Sequence, residues 1–214
     1  MIVPVGERYQ QTLYSMRKKN GKLEEAALRP TLFVPMTGAA EDRREVKADP
    51  GHPVLINGNF EQELINDEHV PGWYYQFGLK VLRSEEAPDG PQYVEFKNDV
   101  PGRPTLLLQG MPIDGRIVRK VRLSGWIATE SVKAAAEKED APAFVLQFFD
   151  EERKRIGLNF AGPYIGNRKW KKESKEFEVP LAAREAIVTI GMFGGTGTAK
   201  FDGITLEVLR TANK

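Results

Sequence analysis

Short stretches of alternating apolar and polar residues, separated by turn residues, fill the chain from Val54 to its C terminus. A period of two is typical of half-buried β-strands. Pro88-Asp89-Gly90 and Asp114-Gly115 are two of the turns between them. This spacing predicts an antiparallel β-sandwich or barrel instead of βαβ units, while residues 130–140, rich in helix formers, predict a short surface helix or a loop. The predicted strands are Leu79–Arg83, Tyr93–Phe96, Thr105–Gln109, Arg116–Thr129, Ala143–Phe149, Arg155–Phe160, Glu176–Val179, Ala186–Phe193 and Lys200–Leu209.

The N-terminal part of the chain has a different pattern. Ile2–Val5 is a short apolar run, residues 11–19 alternate loosely, and Asn20-Gly21 is the strongest two-residue hairpin signal. A third strand follows, with its clearest β character at Thr31–Val34. Three such strands contain too few apolar residues for a core of their own. This small sheet must therefore dock on the rest of the chain, on a partner, or on a further domain.

The change of pattern predicts the domain boundaries. Residues 39–53 are charged and end in Pro and Gly, which is a linker composition. We therefore expect a β extension over residues 1–44, a linker over 45–53, and a β-sandwich over 54–214. The predicted fold class is all-β: an antiparallel jelly-roll sandwich preceded by a small β-hairpin extension.

Composition and charge narrow the function classes. The chain has 214 residues, 31 Lys and Arg against 30 Asp and Glu, and a net charge of +1, so we expect no nucleic-acid partner. The locally basic residues 169–177 fit the solvated face of a strand. No apolar run approaches the roughly 20 residues of a membrane helix, so we expect no membrane partner.

The absence of cysteine removes disulfides, thiolate nucleophiles and Cys-zinc sites, and two histidines cannot form a three-His zinc site. The absence of cysteine and the lack of a leader-like segment together predict a cytoplasmic protein, or a secreted one if a leader precedes Met1.

Three blocks in the N-terminal part carry a resemblance. Residues 2–13 (IVPVGERYQQTL), a basic strand with Asn20-Gly21, and LRPTLFVPM at residues 28–36 follow one another. This order resembles the C-terminal end of protein-L-isoaspartate O-methyltransferases. The resemblance implies that Ile2–Val5 is a late strand of a methyltransferase sheet, whose S-adenosylmethionine loops and active-site serine region have no counterpart here. We therefore assign no catalytic residue and expect S-adenosylmethionine only if an upstream methyltransferase domain exists.

Two other segments carry a second resemblance. Residues 54–75 (VLINGNFEQELINDEHVPGWYY) and 199–209 (AKFDGITLEVL) resemble the jelly-roll sandwiches of carbohydrate-binding modules and galactose-binding-like domains. The resemblance implies that the first and last strands lie side by side, with Phe60 and Phe201 in the core. It also implies a structural Ca²⁺ held by Glu61, Asp202 and backbone oxygens. Alternatively, these carboxylates accept hydrogen bonds from nearby backbone or an arginine.

Aromatic side chains are the candidate sugar ligands, since pyranose rings stack on them. Trp126 is out of phase with the apolar alternation before it and so faces away from the core. Trp73, in the Pro-Gly-Trp motif, is expected to pack under a loop, and one of Phe148 and Phe149 to be buried. The predicted ligand-binding residues are Trp126, Phe149, Tyr164 and Trp170, with Asp150, Glu152 and Arg168 as polar partners.

Three functions follow. The leading one is the non-catalytic, C-terminal portion of an isoaspartyl-methyltransferase-like protein, whose sandwich binds a carbohydrate or a polypeptide substrate. The second is a stand-alone carbohydrate-binding module. The third is a structural or interaction domain whose groove is filled by its own side chains. The further expected partners are an upstream methyltransferase domain, on which the chain would dock, or a second copy in a homo-oligomer. No carboxylate pair is singled out as a glycosidase acid and base, so we expect no catalysis within this chain.

Overall fold

The computed structural model describes residues 1–32 and 48–212. Within these ranges it contains twelve strands, one 3-10 turn at Lys138–Asp140 and no α-helix. No helix in the described ranges is long and apolar enough to cross a membrane. The strands are β1 Ile2–Glu7, β2 Gln10–Lys19, β3 Lys22–Thr31, β4 Leu79–Arg83, β5 Gln92–Asn98, β6 Thr105–Pro112, β7 Val118–Lys133, β8 Ala143–Phe149, β9 Arg155–Ala161, β10 Gly166–Glu178, β11 Glu185–Met192 and β12 Thr196–Thr211.

Strands β4 to β12 form two sheets that pack against each other. The five-stranded sheet has the order β10-β7-β12-β5-β4, and the four-stranded sheet has the order β6-β11-β8-β9. Every neighbouring pair is antiparallel. The predicted all-β sandwich is confirmed. The last strand, β12, lies inside its sheet between β7 and β5, and its residues 197–201 pair with β5.

Along each strand of the sandwich, the side chains that point toward the other sheet form the core. On β7 the side chains of Val121, Leu123 and Ile127 point inward and are inaccessible to solvent, while those of Arg122 and Trp126 point outward. Phe201 of β12 packs edge-on against Phe144 of β8, with ring centroids 5.3 Å apart. Because these rings belong to different sheets, this contact joins the two halves of the core.

Several expectations about single residues are confirmed. Phe60 and Phe201 are fully buried in the common core. Trp73 is also buried, and its indole N–H donates to the carbonyl of Asn57 at 2.9 Å. Phe148 is buried, whereas its neighbour Phe149 is only partly covered.

The predicted first strand of the sandwich is not a strand. The segment from residue 51 to residue 78 consists of turns and isolated bridges, and its backbone reaches the last strand through one bond, from Ile204 N–H to the carbonyl of Gly58 at 2.8 Å. Asn57 and Phe60 have φ angles of 48° and 60°, which interrupt an extended backbone. Over residues 130–140 the structure has the end of β7 and a loop with a 3-10 turn, so the loop alternative was correct.

The N-terminal strands form a separate sheet of order β1-β2-β3. Its hairpin turns at Asn20 and Gly21, whose φ angles of 49° and 80° fit the predicted two-residue turn. None of residues 1–32 is fully buried, as expected for a sheet without its own core. Residues 33–36 of the third N-terminal block and residues 45–47 of the predicted linker lie outside the described residues.

Candidate functional site on the outer face of the five-stranded sheet

A β-bulge in β10 shapes the outer face of the five-stranded sheet. Between the pairs Arg168–Thr129 and Lys171–Ile127, two residues of β10 oppose one residue of β7. These two are Lys169 and Trp170, and the single residue opposite them is Ala128. A bulge changes the direction of a side chain, and the small alanine leaves room beside the indole.

Trp170 uses this room to reach far across the sheet. Its ring centroid lies 5.5 Å from that of Tyr93 on β5, with the ring planes at 82°. Two strands, β7 and β12, lie between the strands that carry these residues. An edge-to-face pair of this kind is favourable, because the positive edge of one ring meets the negative face of the other.

Trp126 lies on the same outer face. It is half-buried on β7, directly opposite Lys172 of β10 and Asp202 of β12. Its indole covers Gly203, where an added Cβ would lie 3.0 Å from Trp126 Cδ1. Gly203 also has a φ of +56°, so both its backbone and its contact favour glycine. We call the set Tyr93, Trp126 and Trp170 the aromatic face; Tyr93 is itself buried, so the two tryptophans are its accessible rings.

Polar groups border the aromatic face. Lys200 of β12 lies opposite Ala128 on one side and Glu95 of β5 on the other. Its ammonium pairs with the carboxylate of Glu130 at 2.6 Å, and this hydrogen bond raises the pKa of Lys200. The aromatic face is therefore bordered by the ammonium of Lys200 and the carboxylates of Glu95 and Glu130. Charged groups of this kind form hydrogen bonds with sugar hydroxyls.

Glu61 and Asp202 lie near each other on the β12 side of Trp126, as the jelly-roll resemblance implied. Asp202 accepts hydrogen bonds from the backbone N–H of Asp89 at 2.9 Å and of Gly203 at 2.7 Å. Glu61 accepts from the backbone N–H of Gln92 at 2.7 Å. Burial, together with the nearby carboxylates of Asp89 and Glu61, raises the pKa of Asp202 to about 7.

These contacts bear on the predicted calcium. The backbone N–H groups of residues 89, 92 and 203 occupy three of the four carboxylate oxygens, and Gln92 Nε2 donates to the fourth at 3.2 Å. Among residues 1–32 and 48–212, no group of three or more acidic, His or Cys side chains is placed to hold a metal ion. The carboxylates as they stand therefore hold the loop around residue 89, and calcium stays a prediction that backbone oxygens would have to complete.

Two other predicted ligand residues do not belong to the aromatic face. Tyr164 is buried, with its ring 5.9 Å from that of Phe144 and the Arg168 guanidinium 5.2 Å above it. Arg168 also pairs with Glu173 at 2.8 Å. Burial raises the pKa of Tyr164 above its ordinary value. With one side against Phe144 and the other under a guanidinium, this ring has no free face for a sugar.

Phe149 and Asp150 lie at the other sheet, near the N-terminal extension. Phe149 ends β8 opposite Glu185, and Asp150 Oδ1 accepts the N–H groups of residues 152 and 154 in the following turn, which includes the predicted partner Glu152. Asp150 lines a cavity of about 850 Å³ between the extension and the end of the sandwich. The structure therefore separates the predicted groove residues into three places, and of the predicted aromatic ligands only Trp126 and Trp170 share a face.

Tyr9 and Tyr74 join the N-terminal sheet to the sandwich beside this cavity, and we call this pair the tyrosine latch. The Tyr9 hydroxyl donates to Glu185 Oε2 at 3.3 Å, and burial, with the Glu185 charge, raises the pKa of Tyr9 to about 12. The Tyr74 hydroxyl donates to the carbonyl of Tyr9 at 2.7 Å and accepts from the N–H of Gln11 at 3.0 Å. The extension therefore docks on the rest of this chain.

Sequence reasoning missed Tyr93, Lys172 and Lys200. Tyr93 begins a predicted strand and comes directly before the buried Val94. Since neighbouring residues of a strand point to opposite faces, alternation could have placed Tyr93 on the outer face of the sheet. The bulge that brings Trp170 to Tyr93 has no signal in the pattern, because it depends on the register of β10 against β7.

No protein-family model and no curated protein matches the chain. Among solved structures, the enzymatically active domain of tailspike protein 4 from bacteriophage CBA120 is similar, with a TM-score of 0.53, 13% identity, and coverage of 75% of this chain and 22% of that one. The CBM22-1 xylan-binding domain of Paenibacillus barcinonensis Xyn10C has a TM-score of 0.47, 16% identity, and coverage of 78% and 99%. TmCBM61 in complex with β-1,4-galactotriose has a TM-score of 0.41, 16% identity, and coverage of 74% and 99%. Only the first score exceeds 0.5, and at 13% identity it speaks to the fold alone.

Proposed function

We propose that this chain is a non-catalytic carbohydrate-binding module that holds a polysaccharide against the aromatic face. The observation that carries the proposal is that Trp126 and Trp170 lie half-buried on one outer face, among the polar groups of Lys200, Glu95 and Glu130. Aromatic rings stack on the C–H faces of sugars, and a few placed polar groups fix the hydroxyls. The jelly-roll resemblance of the sequence supports the same function.

The test is affinity electrophoresis in native gels that contain soluble polysaccharides, such as xylan, β-1,4-galactan and β-glucan. We expect at least one of them to retard the wild-type protein. Trp126→Ala and Trp170→Ala should each weaken the retardation about tenfold, as truncation of a central aromatic contact does. Tyr75→Ala is the matched control, since this loop tyrosine is 58% exposed.

Two results would contradict the proposal. One is a wild-type protein that no polysaccharide retards, and the other is retardation that both tryptophan variants keep. Thermal unfolding of each variant shows whether a loss of binding reflects a loss of the fold. Trp126→Phe keeps an aromatic ring at the site and should retain part of the affinity.

We also propose, on the sequence resemblance of residues 1–36, that the chain continues upstream into a methyltransferase-like domain. The specific observation in its favour is that the N-terminal sheet has no fully buried residue and exposes Met1, Ile2 and Val5. Mass-spectrometric mapping of the native protein tests this. Peptides that precede Met1 and contain a glycine-rich methyltransferase motif would support it, and a native chain that starts at Met1 would remove it.

A further inference from the structure

We infer that the polysaccharide bound by the aromatic face is an anionic one, whose carboxylate or sulfate groups pair with lysines of β10. This inference rests on the proposed function, because it names the class of sugar chain bound at the same face. It is carried by the positions of Lys172 and Lys169 beside the two tryptophans.

Lys172 is directly opposite Trp126 on the neighbouring strand. Side chains directly opposite each other across an antiparallel pair have Cβ atoms about 5 Å apart. Lys169 shares the bulge with Trp170. Both lysines are exposed. A sugar ring stacked on either indole would therefore have an ammonium group at its edge, where the charged substituent of a uronic acid or a sulfated sugar projects.

These two ammonium groups are also uncommitted. In the described part of the chain, neither Lys169 nor Lys172 has an acidic partner within ion-pair distance. Their neighbours differ, because Lys171 pairs with Glu173 at 3.0 Å and Lys120 pairs with Glu176 at 2.7 Å. The unpaired ammonium groups beside the tryptophans are therefore those of Lys169 and Lys172, while Lys175, farther along β10, donates to the carbonyl of Phe160 at 2.7 Å.

Two carboxylates of the face, those of Glu130 and Glu95, lie beside lysines. Glu130 is neutralised by Lys200 at 2.6 Å. Glu95 lies between two lysines, opposite Lys200 of β12 on one side and Lys80 of β4 on the other. Asp202, with Glu61 and Asp89 near it, lies on the β12 side of Trp126. The charge beside the tryptophans is therefore positive only on the β10 side, where the anionic group of a bound chain would pair with Lys169 and Lys172.

Matched pairs of polysaccharides test the inference. Polygalacturonate and its methyl-esterified form differ in carboxylate charge, and carrageenan and chemically desulfated carrageenan differ in sulfate. We expect the wild-type protein to bind one charged member more tightly than its neutral counterpart in microplate binding, with an affinity that falls as salt is added. The pair that shows the preference tells whether carboxylate or sulfate is recognised.

Variants locate the effect. Lys172→Gln should weaken binding to the charged member about two- to fivefold, as expected for an exposed ion pair, and leave binding to the neutral member unchanged. Lys172→Glu should weaken it further. Lys22→Glu makes the same charge change on the N-terminal sheet and serves as the control. A drop in the control equal to that of Lys172→Glu would mean that only net charge matters, which would overturn the inference.

The remaining outcomes separate this inference from the proposed function. Equal binding to charged and neutral members, lost in Trp126→Ala, would overturn the inference and leave the carbohydrate-binding function standing. Binding to no polysaccharide would remove both. Increased self-association of Lys172→Gln with unchanged sugar binding would show that the lysines only protect an edge strand, and would overturn the inference as well.

Discussion

The rings of Trp170 and Tyr93 meet edge to face, 5.5 Å apart, although two strands separate the strands that carry them. The bulge opposite Ala128 makes this contact possible, because it places Trp170 beside the smallest side chain of the row. The pair fixes the position of an indole on an edge strand, where it would otherwise move freely. A fixed ring binds a sugar with a smaller loss of conformational entropy.

Removal of Tyr93 should therefore weaken binding through Trp170. Tyr93→Ala is expected to destabilise the sandwich by about 1 kcal/mol beyond the loss of buried area, as aromatic pairs do, and to lower polysaccharide affinity. A double-mutant cycle with Trp170→Ala measures the coupling. If the two changes are additive in binding, Tyr93 does not position Trp170.

Asp202 should make stability depend on pH. Its pKa is raised from 3.8 to about 7 in the folded protein, so its contribution to stability is fully present below about pH 4 and is lost as the pH rises through 7. Urea unfolding in EDTA at several pH values between these limits measures the trend. Asp202→Asn should flatten the trend, although it leaves one backbone N–H without an acceptor. The free energy of unfolding of the wild type should fall relative to that of Asp202→Asn as the pH rises toward 7. A difference between the two that stays constant over this range contradicts the prediction.

Calcium should reverse this trend if the jelly-roll resemblance extends to a metal. A cation bound by Glu61 and Asp202 would hold both carboxylates ionised and would stabilise the folded state, which alone contains the site. We expect millimolar calcium to raise the melting temperature at neutral pH in the wild type, and not in Glu61→Gln. Identical melting temperatures in calcium and EDTA would show that the two carboxylates only hold the loop around residue 89.

The tyrosine latch should determine whether the N-terminal sheet stays docked. Tyr9→Ala removes the hydroxyl contact with Glu185 and the ring that covers Gly110, where an added Cβ would lie 3.3 Å from Tyr9 Cδ1. Hydrogen exchange should then show faster exchange in β1 to β3 and unchanged protection in β7 and β12. Leu23→Ala, at an exposed position beside the hairpin turn, is the control. Equal loss of protection in β7 would mean that extension and sandwich unfold as one unit.

Pro4 should keep the outer edge of the N-terminal sheet unpaired. Met1 and Met16 exchange both backbone hydrogen bonds, at 2.9 and 2.8 Å. In this pattern the N–H and C=O groups of Ile2, Pro4 and Gly6 point away from β2, toward the open edge of the sheet. Pro4 is one of these residues and has no N–H to offer. No described strand pairs with this edge, although Ile2 and Val5 expose 62% and 45% of their surface.

Pro4→Val restores that donor and should promote association between the edges of two copies. Light scattering after size-exclusion chromatography measures it, with Val5→Thr, which leaves the backbone donors unchanged, as the control. If Pro4→Val remains at the oligomeric state of the wild type across concentrations, the proline does not protect this edge.

The period of two, the turn residues and the absence of helical periodicity were enough to predict a β-sandwich and most of its strands. Alternation also placed Trp126 outside, because it decides which face of a strand a side chain occupies, and the jelly-roll resemblance placed Phe201 inside. The Asn20-Gly21 turn was predictable for a local reason, since both residues tolerate positive φ.

Only the tertiary structure decided which residues share a surface. Trp126 and Trp170 lie on one face because β10 pairs with β7 in a bulged register, and pairing register between distant strands has no local signature. Tyr164 was predicted in a groove and is enclosed by Phe144 and Arg168, because burial depends on what the rest of the chain packs against a residue. The sequence therefore determined the faces of single strands, and long-range packing determined how those faces combine into a site.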